Sequence, residues 1–404
     1  MTIVSSTVQR AAAAREPDRV PRPAPRRDAS TEGKSRIVLV QTQAEGAGAQ
    51  EISRILGRDL EARGYEVHHV FFYRKTAAFD DHPNTFFCAW DRPSGPVGIG
   101  RMFVTLVRYL AKLRPSVVMC FQLYGCILGA LAARIAGTGT VVANRSTSMQ
   151  SSYRSFWLLW LEFGLGFTGL FNRVVVNSKT MEDEYRRLPD WCRAHVVRIE
   201  HGFEPKTTRL DRDEARRLLG LPLGVTLLGD AARLHTVKNL AAAIRLLPGE
   251  PSWHLALAGQ GPDRPRLLGI AKSLGVADRV HFLGELSPER IGVFFRALDV
   301  FVFPSSVETF GLAVVEAAAA GIPVVANDFD VMREVLASDD KPCALFVDVS
   351  DTKAFGEAVR RLLDDPKLRA MLCARGIELS RRFSLEAMTD RYVTVMENAI
   401  HGSR

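Results

Sequence analysis

The chain has 404 residues, more than one ordinary hydrophobic core accommodates, so its length predicts two domains of similar size with a cleft between them. A composition of 47% hydrophobic and 24% charged residues is typical of a globular protein and excludes disorder of the chain as a whole. The net charge is +8, but residues 1–36 hold eight basic and four acidic residues, so half of the excess lies in this tail. With no zinc-finger spacing or RNA-binding aromatic signature in the body, no nucleic-acid partner is predicted.

Residues 1–35 are rich in Pro, Ala and Arg and predict a disordered basic tail. They lack the continuous apolar stretch of a secretory signal, and Pro21, Pro23 and Pro25 disfavour the amphipathic helix of an organelle transit peptide. The six cysteines are scattered, which is typical of buried thiols in a reducing compartment. These features predict a cytoplasmic protein.

From Arg36 onward, short apolar runs alternate with helical segments. The run RIVLVQTQ is followed by a loop with Gly46 and Gly48, by a helix and by a second strand, and the alternation returns at SVVMCFQ, TVVANRS and RVVVNS. Strands that are continuously apolar belong to parallel sheets covered on both faces. Residues 36–205 therefore predict an N-terminal Rossmann-like domain.

One segment of this half, residues 155–171, is strongly apolar and aromatic. It contains Glu162 and is shorter than the about 20 residues that span a bilayer. Two interpretations stay open: a buried or interdomain helix, and an interfacial helix that lies among lipid headgroups through Trp157 and Trp160. The second, with the basic tail, would bring the protein to the inner face of the membrane as a peripheral protein.

A charged stretch that begins after VVRIEHGFEP predicts a domain boundary near residue 206. Strand and helix patterns then alternate from VTLLGDA through WHLALAG, VHFLG, VFVFPS and PVVAND, so residues 206–380 predict a second doubly wound domain. Residues 381–404 predict a C-terminal helix that packs back toward the N-terminal domain. Ligands bind such sheets at the carboxyl ends of the strands, which directs attention to the loops there.

Residues 297–328 hold the most informative pattern, ALDVFVFPSSVETFGLAVVEAAAAGIPVVAND. A buried strand and a polar loop lead into a helix that begins near Gly311, where free N–H groups and the helix dipole favour an anion and glycine allows its close approach. Glu308 lies at the mouth of this site. Glu316 lies further along the helix, where a carboxylate can accept hydrogen bonds from two ribose hydroxyls. The plain alternative is a solvated loop glutamate and a surface-helix glutamate.

This pattern resembles the family 4 retaining glycosyltransferases, whose signature is such a glutamate pair with Phe-Gly-Leu between and a Gly-x-Pro-Val-Val strand after it. The resemblance extends through most of residues 36–395. It implies the GT-B architecture, α/β with two doubly wound Rossmann-like domains facing a central cleft. On this resemblance residues 36–205 form the acceptor-side domain and residues 206–380 the nucleotide-sugar-binding domain. It also implies transfer of a sugar from a nucleotide-diphosphate-sugar to an acceptor hydroxyl, in polysaccharide or glycolipid assembly.

The resemblance also implies roles for individual residues. Glu308 would contact the transferred sugar, and Glu316 would hold the donor ribose. The distal phosphate would be bound by the backbone of Phe310, Gly311 and Leu312.

A second motif, residues 227–244, resembles the family's strand and Lys-containing turn. Arg233 and Lys238 leave the same strand, and both cations can converge on one diphosphate and offset its charge as it departs. Solvated loop cations are the alternative. Because these two cations can stabilise the leaving group, the prediction is an enzyme with no metal and no cofactor other than the donor substrate.

Glycine turns after two further strands predict contacts with the donor. Gly259 would let the nucleotide base approach the backbone, although a simple strand-to-helix turn stays open. Gly46 and Gly48 would face the donor from the opposite domain.

The chain also departs from the family pattern. Where members often have a histidine facing the donor sugar, this chain has Asn144 or Arg145, which leaves the identity of the sugar open. The usual Gly-Gly-x-x-Glu loop is replaced by residues 329–334, in which Glu334 remains without an assigned role.

The acceptor stays open between a lipid-linked or glycan acceptor and a small soluble one. Two other classes also stay open: a nucleotide-sugar epimerase or sugar-phosphate synthase on the same fold, and a non-catalytic nucleotide-sugar-binding protein.

Overall fold

The computed structural model describes residues 35–45, 48–77, 79–146, 169–186 and 195–401. Within them, two parallel sheets with helices on their faces follow one another along the chain. The predicted α/β class with two doubly wound sheets is confirmed. The basic tail, Gly46 and most of the aromatic segment 155–171 lie outside the described residues.

The first sheet is formed by the N-terminal half and has the order β3-β2-β1-β4-β5-β6-β7. Its strands are β1 (Arg36–Ala44), β2 (Glu66–Arg74), β3 (Thr85–Ala89), β4 (Val117–Phe121), β5 (Thr140–Asn144), β6 (Arg173–Val176) and β7 (Val196–Arg198). Its helices are α1 (Gly48–Ala62), α2 (Gly95–Leu113), a π-helical turn (Gly125–Gly129), α3 (Ala130–Ile135) and α4 (Lys179–Arg186).

The second sheet has the order β10-β9-β8-β11-β12-β15, beside a small antiparallel pair, β13 and β14. Its strands are β8 (Thr226–Ala231), β9 (Trp253–Ala258), β10 (Val280–Gly284), β11 (Val300–Phe303), β12 (Val324–Asn327) and β15 (Leu345–Val347), and the pair is β13 (Ala337–Ser338) and β14 (Lys341–Pro342). Its α-helices are α5 (Arg212–Leu219), α6 (Leu240–Ile244), α7 (Arg264–Ser273), α8 (Pro288–Ala297), α9 (Leu312–Ala319), α10 (Asp330–Val335), α11 (Thr352–Asp364) and α12 (Pro366–Arg382). Short 3₁₀ turns occupy Thr236–Lys238, Leu247–Gly249 and Ala277–Arg279.

Both sheets are buried on both faces, which explains their continuously apolar strands. In β1, Val38 and Val40 belong to one core cluster, while Ile37 and Leu39 belong to the cluster on the opposite face. In β8, Leu227 and Leu228 likewise belong to core clusters on opposite faces of the sheet. The carboxyl ends of the central strands are thus held rigidly, and the loops that leave them are positioned by a packed core.

The last helix, α13 (Leu385–His401), follows the second sheet in the chain but packs on the first. Met388, Tyr392 and Met396 join the core cluster that contains Leu39 and Leu56. The Tyr392 hydroxyl donates a hydrogen bond to Asn144 Oδ1 at 2.7 Å, at the end of β5. The two halves are therefore connected both by the chain before β8 and by this returning helix.

None of the helices in the described ranges is long and apolar enough to cross a bilayer.

Candidate functional site

The loops after β8 and β11 lie side by side because these two strands are neighbours in the sheet. Ser306 N donates to Val237 O at 2.9 Å, which fastens one loop to the other. Lys238 ends the 3₁₀ turn of the first loop, and its Nζ lies 2.5 Å from Glu308 Oε1 of the second. The structure thus brings Lys238 and Glu308 together as an ion pair that is largely shielded from solvent.

The tip of α9 stands directly after this pair. Gly311 is its N-cap residue, with φ of 81° and ψ of 55°, a left-handed conformation that favours glycine. A Cβ added there would lie 2.9 Å from Met332 Cε. Phe310 is buried, with its ring against those of His201 and Phe383 at 5.1 Å each, so it contributes its backbone and not its side chain to the cleft. The first N–H groups of α9, beginning at Leu312, have no carbonyl partner within the helix, which suits an anion.

Arg233 faces across the cleft. Its Nη1 lies 3.6 Å from Oε1 of Glu45, which directly follows β1 in the first sheet. Glu45 is buried and also contacts Lys75 and Gln43. Two cations of the loop after β8 are therefore paired with different carboxylates: Arg233 reaches Glu45 of the facing domain, and Lys238 pairs with Glu308.

Glu316 lies on α9 with its side chain only 4% exposed. Burial raises the pKa of Glu316, and the ammonium of Lys206, with Nζ at 2.7 Å from Oε1, acts in the opposite direction. Lys206 was not identified from the sequence, since it lies between the two sheets and outside the motif.

Asp230 is a second residue that the sequence motifs did not single out. It is fully buried in β8, where burial raises its pKa to about 8; Lys238 lowers this pKa and Glu308 raises it. Asp230 is accordingly neutral at pH 7 and sits behind the Lys238–Glu308 pair without adding a charge. The signal in the sequence that could have identified Asp230 is an acidic residue inside the otherwise apolar strand TLLGDA.

The two glycines after β9 are required by close packing of the backbone around them. Gly259 has φ of 139°, and a Cβ on it would stand 2.1 Å from Ala232 O; at Gly261 a Cβ would stand 2.2 Å from Leu234 O. These close approaches seat the loop that carries Arg233. The contact of Gly259 with the nucleotide base stays a prediction. Gly48 is exposed and begins α1.

Asn144 and Arg145 are buried at the end of β5 and line a small pocket with Asn177 and His201. Asn144 Oδ1 accepts the Tyr392 hydroxyl, so its amide is engaged by α13. The placement of Asn144 and Arg145 on the donor-sugar side of the site stays a prediction.

Asn177, after β6, connects the pocket to the loop of residues 304–311 that follows β11, called the donor loop for its predicted role. Its Nδ2 lies 3.0 Å from His201 Nε2 and donates to Thr309 Oγ1 at 3.1 Å. Burial lowers the pKa of His201 to about 4, so its ring is neutral at pH 7. Since Thr309 follows Glu308, the first sheet holds the donor loop in place through one amide.

Glu334 of α10 receives a definite structural role. Its carboxylate accepts hydrogen bonds from Lys179 N at 2.5 Å, Thr180 N at 3.0 Å and Thr180 Oγ1 at 2.8 Å. It therefore caps the N-terminus of α4, a helix of the first sheet, where a negative charge is stabilising.

An Asp-x-Asp sequence, Asp328-Phe329-Asp330, follows β12 and offers carboxylates of the kind that can bind a metal. Asp328 is occupied by a two-pronged ion pair with Arg333, with both contacts at 2.6 Å. In the part of the chain that the structure describes, no group of three or more His, Cys, Asp or Glu residues is arranged around a common metal position.

Two facing Rossmann-like domains, with cations and a helix tip at the carboxyl ends of their strands, define the GT-B class of fold. The C-terminal half matches the model of the glycosyl transferases group 1 over residues 211–378, and the N-terminal half matches that of glycosyltransferase family 4 over residues 47–206. The chain belongs to this family, as its motifs predicted.

Curated relatives include the D-inositol 3-phosphate glycosyltransferase of Saccharomonospora viridis, 31% identical over 247 residues that make up 58% of this chain and 57% of that protein. The lipopolysaccharide core biosynthesis mannosyltransferase LpsB of Rhizobium meliloti is 32% identical over 212 residues, 50% of this chain and 60% of that protein. The matched region thus spans little more than half the length of either relative.

Solved structures share the fold over nearly the whole chain. Sucrose-phosphate synthase from Thermosynechococcus elongatus has a TM-score of 0.75 at 21% identity and covers 91% of this chain and 100% of its own. Anabaena HepE in complex with UDP-glucose has a TM-score of 0.78 at 18% identity and covers 90% of this chain and 99% of its own.

Proposed function

We propose that the protein is a retaining, metal-independent glycosyltransferase, hexosyltransferase-like, that moves a sugar from a nucleotide-diphosphate-sugar to an acceptor hydroxyl. The observation that carries the proposal is the Lys238–Glu308 pair beside the Gly311 tip of α9, with Arg233 in the same loop as Lys238 and paired with Glu45 of the facing domain. Family membership supports it. The curated relatives are named as glycosyltransferases, which favours transfer to an acceptor over epimerisation or binding alone.

In the proposed reaction, the acceptor oxygen forms a bond to the anomeric carbon on the face from which the diphosphate departs. The bond between that carbon and the phosphate oxygen breaks, and a donor phosphate oxygen takes the acceptor proton. Lys238 and Arg233 stabilise the charge that develops on the diphosphate, together with the N–H groups at the start of α9. Glu308 orients the sugar, and Glu316 binds the ribose.

The cleft between the sheets serves this chemistry by excluding water, which would otherwise hydrolyse the donor. Glu45 pairs with Arg233 in the structure, so Arg233 exchanges this carboxylate partner for the diphosphate when the donor binds. The leaving group is then neutralised by two side-chain cations, which is the basis for proposing that no metal is required.

A thermal-shift screen against uridine, guanosine and adenosine diphosphate sugars tests donor binding, with the wild-type chain expected to gain several degrees from one of them. Absence of any shift across the panel argues against the proposal. Turnover of the selected donor is then measured in excess chelator. Activity that disappears and returns with manganese would overturn the metal-independent part alone.

For the acceptor, we propose a lipid-linked or glycan molecule reached at the cytoplasmic face of the membrane. Helix α2 supports this, because Val97, Ile99 and Val104 are exposed on it and Trp90 is exposed just before it. Residues 90–116 carry five exposed basic residues, Arg92, Arg101, Arg108, Lys112 and Arg114, against one acid, Asp91. Exposed apolar side chains among cations suit an anionic bilayer.

Vesicle sedimentation tests this surface. The full chain is expected to bind vesicles that contain anionic phosphatidylglycerol better than neutral phosphatidylcholine vesicles, and V97S/I99S is expected to reduce that binding several-fold. A chain lacking residues 1–35 separates the contribution of the tail. Equal partitioning of the wild type and V97S/I99S would remove α2 from the proposal.

A further inference from the structure

The cation that pairs with Glu316 comes from a residue outside the loops after β8 and β11. Lys206 lies in the connection between β7 and α5, and its ammonium approaches Glu316 Oε1 at 2.7 Å. The Lys206 side chain is 15% exposed and that of Glu316 is 4% exposed, so the pair is shielded from water. The backbone of Lys206 is held against α8, where a Cβ on Gly292 would stand 3.1 Å from the Lys206 carbonyl carbon.

The charges around this pair come from several elements. Helix α9 itself, LAVVEAAA, carries no charge other than Glu316. From α1, Glu51 raises the pKa of Glu316, while Arg54 is paired with Glu51 at 2.8 Å and Arg58 with Glu204 at 2.8 Å. From α8, the pKa of Glu289 is lowered chiefly by a hydrogen bond with Ser287, with smaller contributions from Arg54 and Lys206. Within the described chain, the cation in contact with Glu316 is therefore Lys206.

A carboxyl group as buried as this one favours its neutral form unless a cation offsets the burial. A neutral carboxyl is a weaker acceptor than a carboxylate and carries a proton of its own. The ammonium occupies one position on Oε1, and a carboxylate has about four acceptor positions, so enough remain for two hydroxyls.

We propose that Lys206 is a positioning residue for the donor: it keeps Glu316 ionised and oriented so that the carboxylate accepts hydrogen bonds from both hydroxyls of the ribose. This inference rests on the proposed function and names the group that makes the ribose site selective. The resulting site recognises a ribonucleoside diphosphate and discriminates against its 2′-deoxy counterpart.

The test compares binding of a nucleoside diphosphate with that of its 2′-deoxy analogue by isothermal titration calorimetry, using the base selected by the thermal-shift screen. Wild type is expected to prefer the ribonucleotide by about tenfold, the order of one charge-assisted hydrogen bond. K206M should bind the ribonucleotide about tenfold more weakly and lose much of the preference, with a smaller loss of affinity for the deoxynucleotide, which retains its 3′-hydroxyl. K206R should restore most of the preference, and the exposed-lysine variant K353M should behave as wild type.

The pH dependence separates this role from a structural one. In K206M the pKa of Glu316 rises further, so ribonucleotide affinity should fall as the pH is lowered from 8 to 6, whereas wild-type affinity changes little. E316Q should show neither the preference nor the pH dependence. If K206M is unstable, K206M/E316Q removes the orphaned carboxylate and should regain stability without regaining the preference.

Two outcomes count against the inference in different ways. A K206M variant with wild-type preference and pH profile overturns the role of Lys206 and leaves the proposed function intact. A wild-type chain that binds none of the nucleoside diphosphates overturns the proposed function, and the role of Lys206 with it.

Discussion

At the scale of single residues, Lys238 is the side chain whose charge is best placed for catalysis. Its ammonium pairs with Glu308 and lies 5.9 Å from the centre of the Phe303 ring, so it has little freedom to move away from the cleft. A cation held in place before the reaction stabilises the charge that develops on the leaving group without reorganising.

We expect Lys238→Met to lower kcat by about 10²–10³-fold, the range seen when one preorganised stabilising group is removed. KM for the donor should rise less than kcat falls, because the largest negative charge develops in the transition state. Steady-state kinetics with saturating acceptor measures both constants, and Lys353→Met on the exposed face of α11 is the control. A kcat within threefold of wild type would show that Lys238 is not catalytic.

Asp230 gives a prediction about pH. Its pKa is about 8 in the folded protein against an ordinary value of 3.8, so between these values the folded state keeps a proton that the unfolded state releases. Stability must therefore fall as the pH rises through this window, by up to about 1.4 kcal/mol per pH unit from this one group. His201, whose pKa burial lowers to about 4, acts in the opposite direction below its ordinary value of 6.5.

Asp230→Asn removes this titration while nearly preserving the shape of the side chain. The free energy of unfolding, measured in urea at pH 5, 6, 7 and 8, should therefore increase in the variant relative to wild type as the pH rises. Because His201 titrates equally in both proteins, it cancels from the comparison. Parallel curves would mean that Asp230 is ionised in the folded state.

The residues that the sequence revealed are those carried by a local motif. Glu308 and Glu316 share one loop and helix, and Lys238 follows the strand beside it. Lys206 and Glu45 were missed because their partners, Glu316 and Arg233, are distant in the chain and come into contact only in the folded structure. A single sequence without aligned relatives contains no signal for such pairs.

At the scale of elements, strands were predicted better than helices. VTLLGDA corresponds to β8 and PVVAND to β12, because continuous apolar runs mark buried parallel strands. In the segment KNLAAAIRLL, which follows the Lys-containing turn, the helical pattern yields only the short helix Leu240–Ile244, after Asn239 in a left-handed conformation. The segment LYGCILGALAARIAG contains a π-helical turn before α3, and β3 and α2 were not among the predicted elements. Helix boundaries here depend on tertiary packing, which hydrophobic period alone does not encode.

The contact between α10 and α4 gives the prediction at this scale. Glu334→Ala leaves two backbone N–H groups and the Thr180 hydroxyl without their acceptor, which should lower the free energy of unfolding by about 0.5–2 kcal/mol, as for other helix caps. We also expect kcat/KM for the donor to fall about tenfold, because α4 follows the strand end that holds Thr309 and the donor loop.

Thermal unfolding and steady-state kinetics measure the two effects. Glu357→Ala, an exposed glutamate on α11, is the matched control and should change neither. Glu334→Gln retains an acceptor oxygen, so its stability and its kcat/KM should lie between those of wild type and Glu334→Ala. Loss of stability with unchanged kcat/KM would mean that the contact does not position the donor loop.

At the scale of the whole molecule, the feature that connects the two halves is α13. The chain completes the second sheet and then inserts Met388, Tyr392 and Met396 into the core of the first, where they pack with Leu39 and Leu56. Phe203, in the connection between the sheets, forms a bridge with Ser384 just before α13, and a Cβ on Gly202 would stand 2.5 Å from the Ser384 carbonyl oxygen. Two crossing segments in close contact restrict how the domains can open.

Removal of residues 385–404 should therefore destabilise the N-terminal half, which is distant from α13 in the chain. Exposure of the Leu39 and Leu56 cluster removes several fully buried side chains at once, each contributing about 1.5–3 kcal/mol, which exceeds the margin of a typical domain. Limited proteolysis of the truncated chain should cut first within residues 36–205 and leave a stable fragment from about residue 206 onward.

That fragment retains Lys238, Glu308 and Glu316, so it should still bind a nucleoside diphosphate, but more weakly than the full chain. Turnover should be lost, because Glu45 and the facing domain are gone. A chain shortened only by residues 402–404 is the control. Cleavage spread evenly over both halves would show that the sheets unfold as one unit and that α13 is not specific to the first.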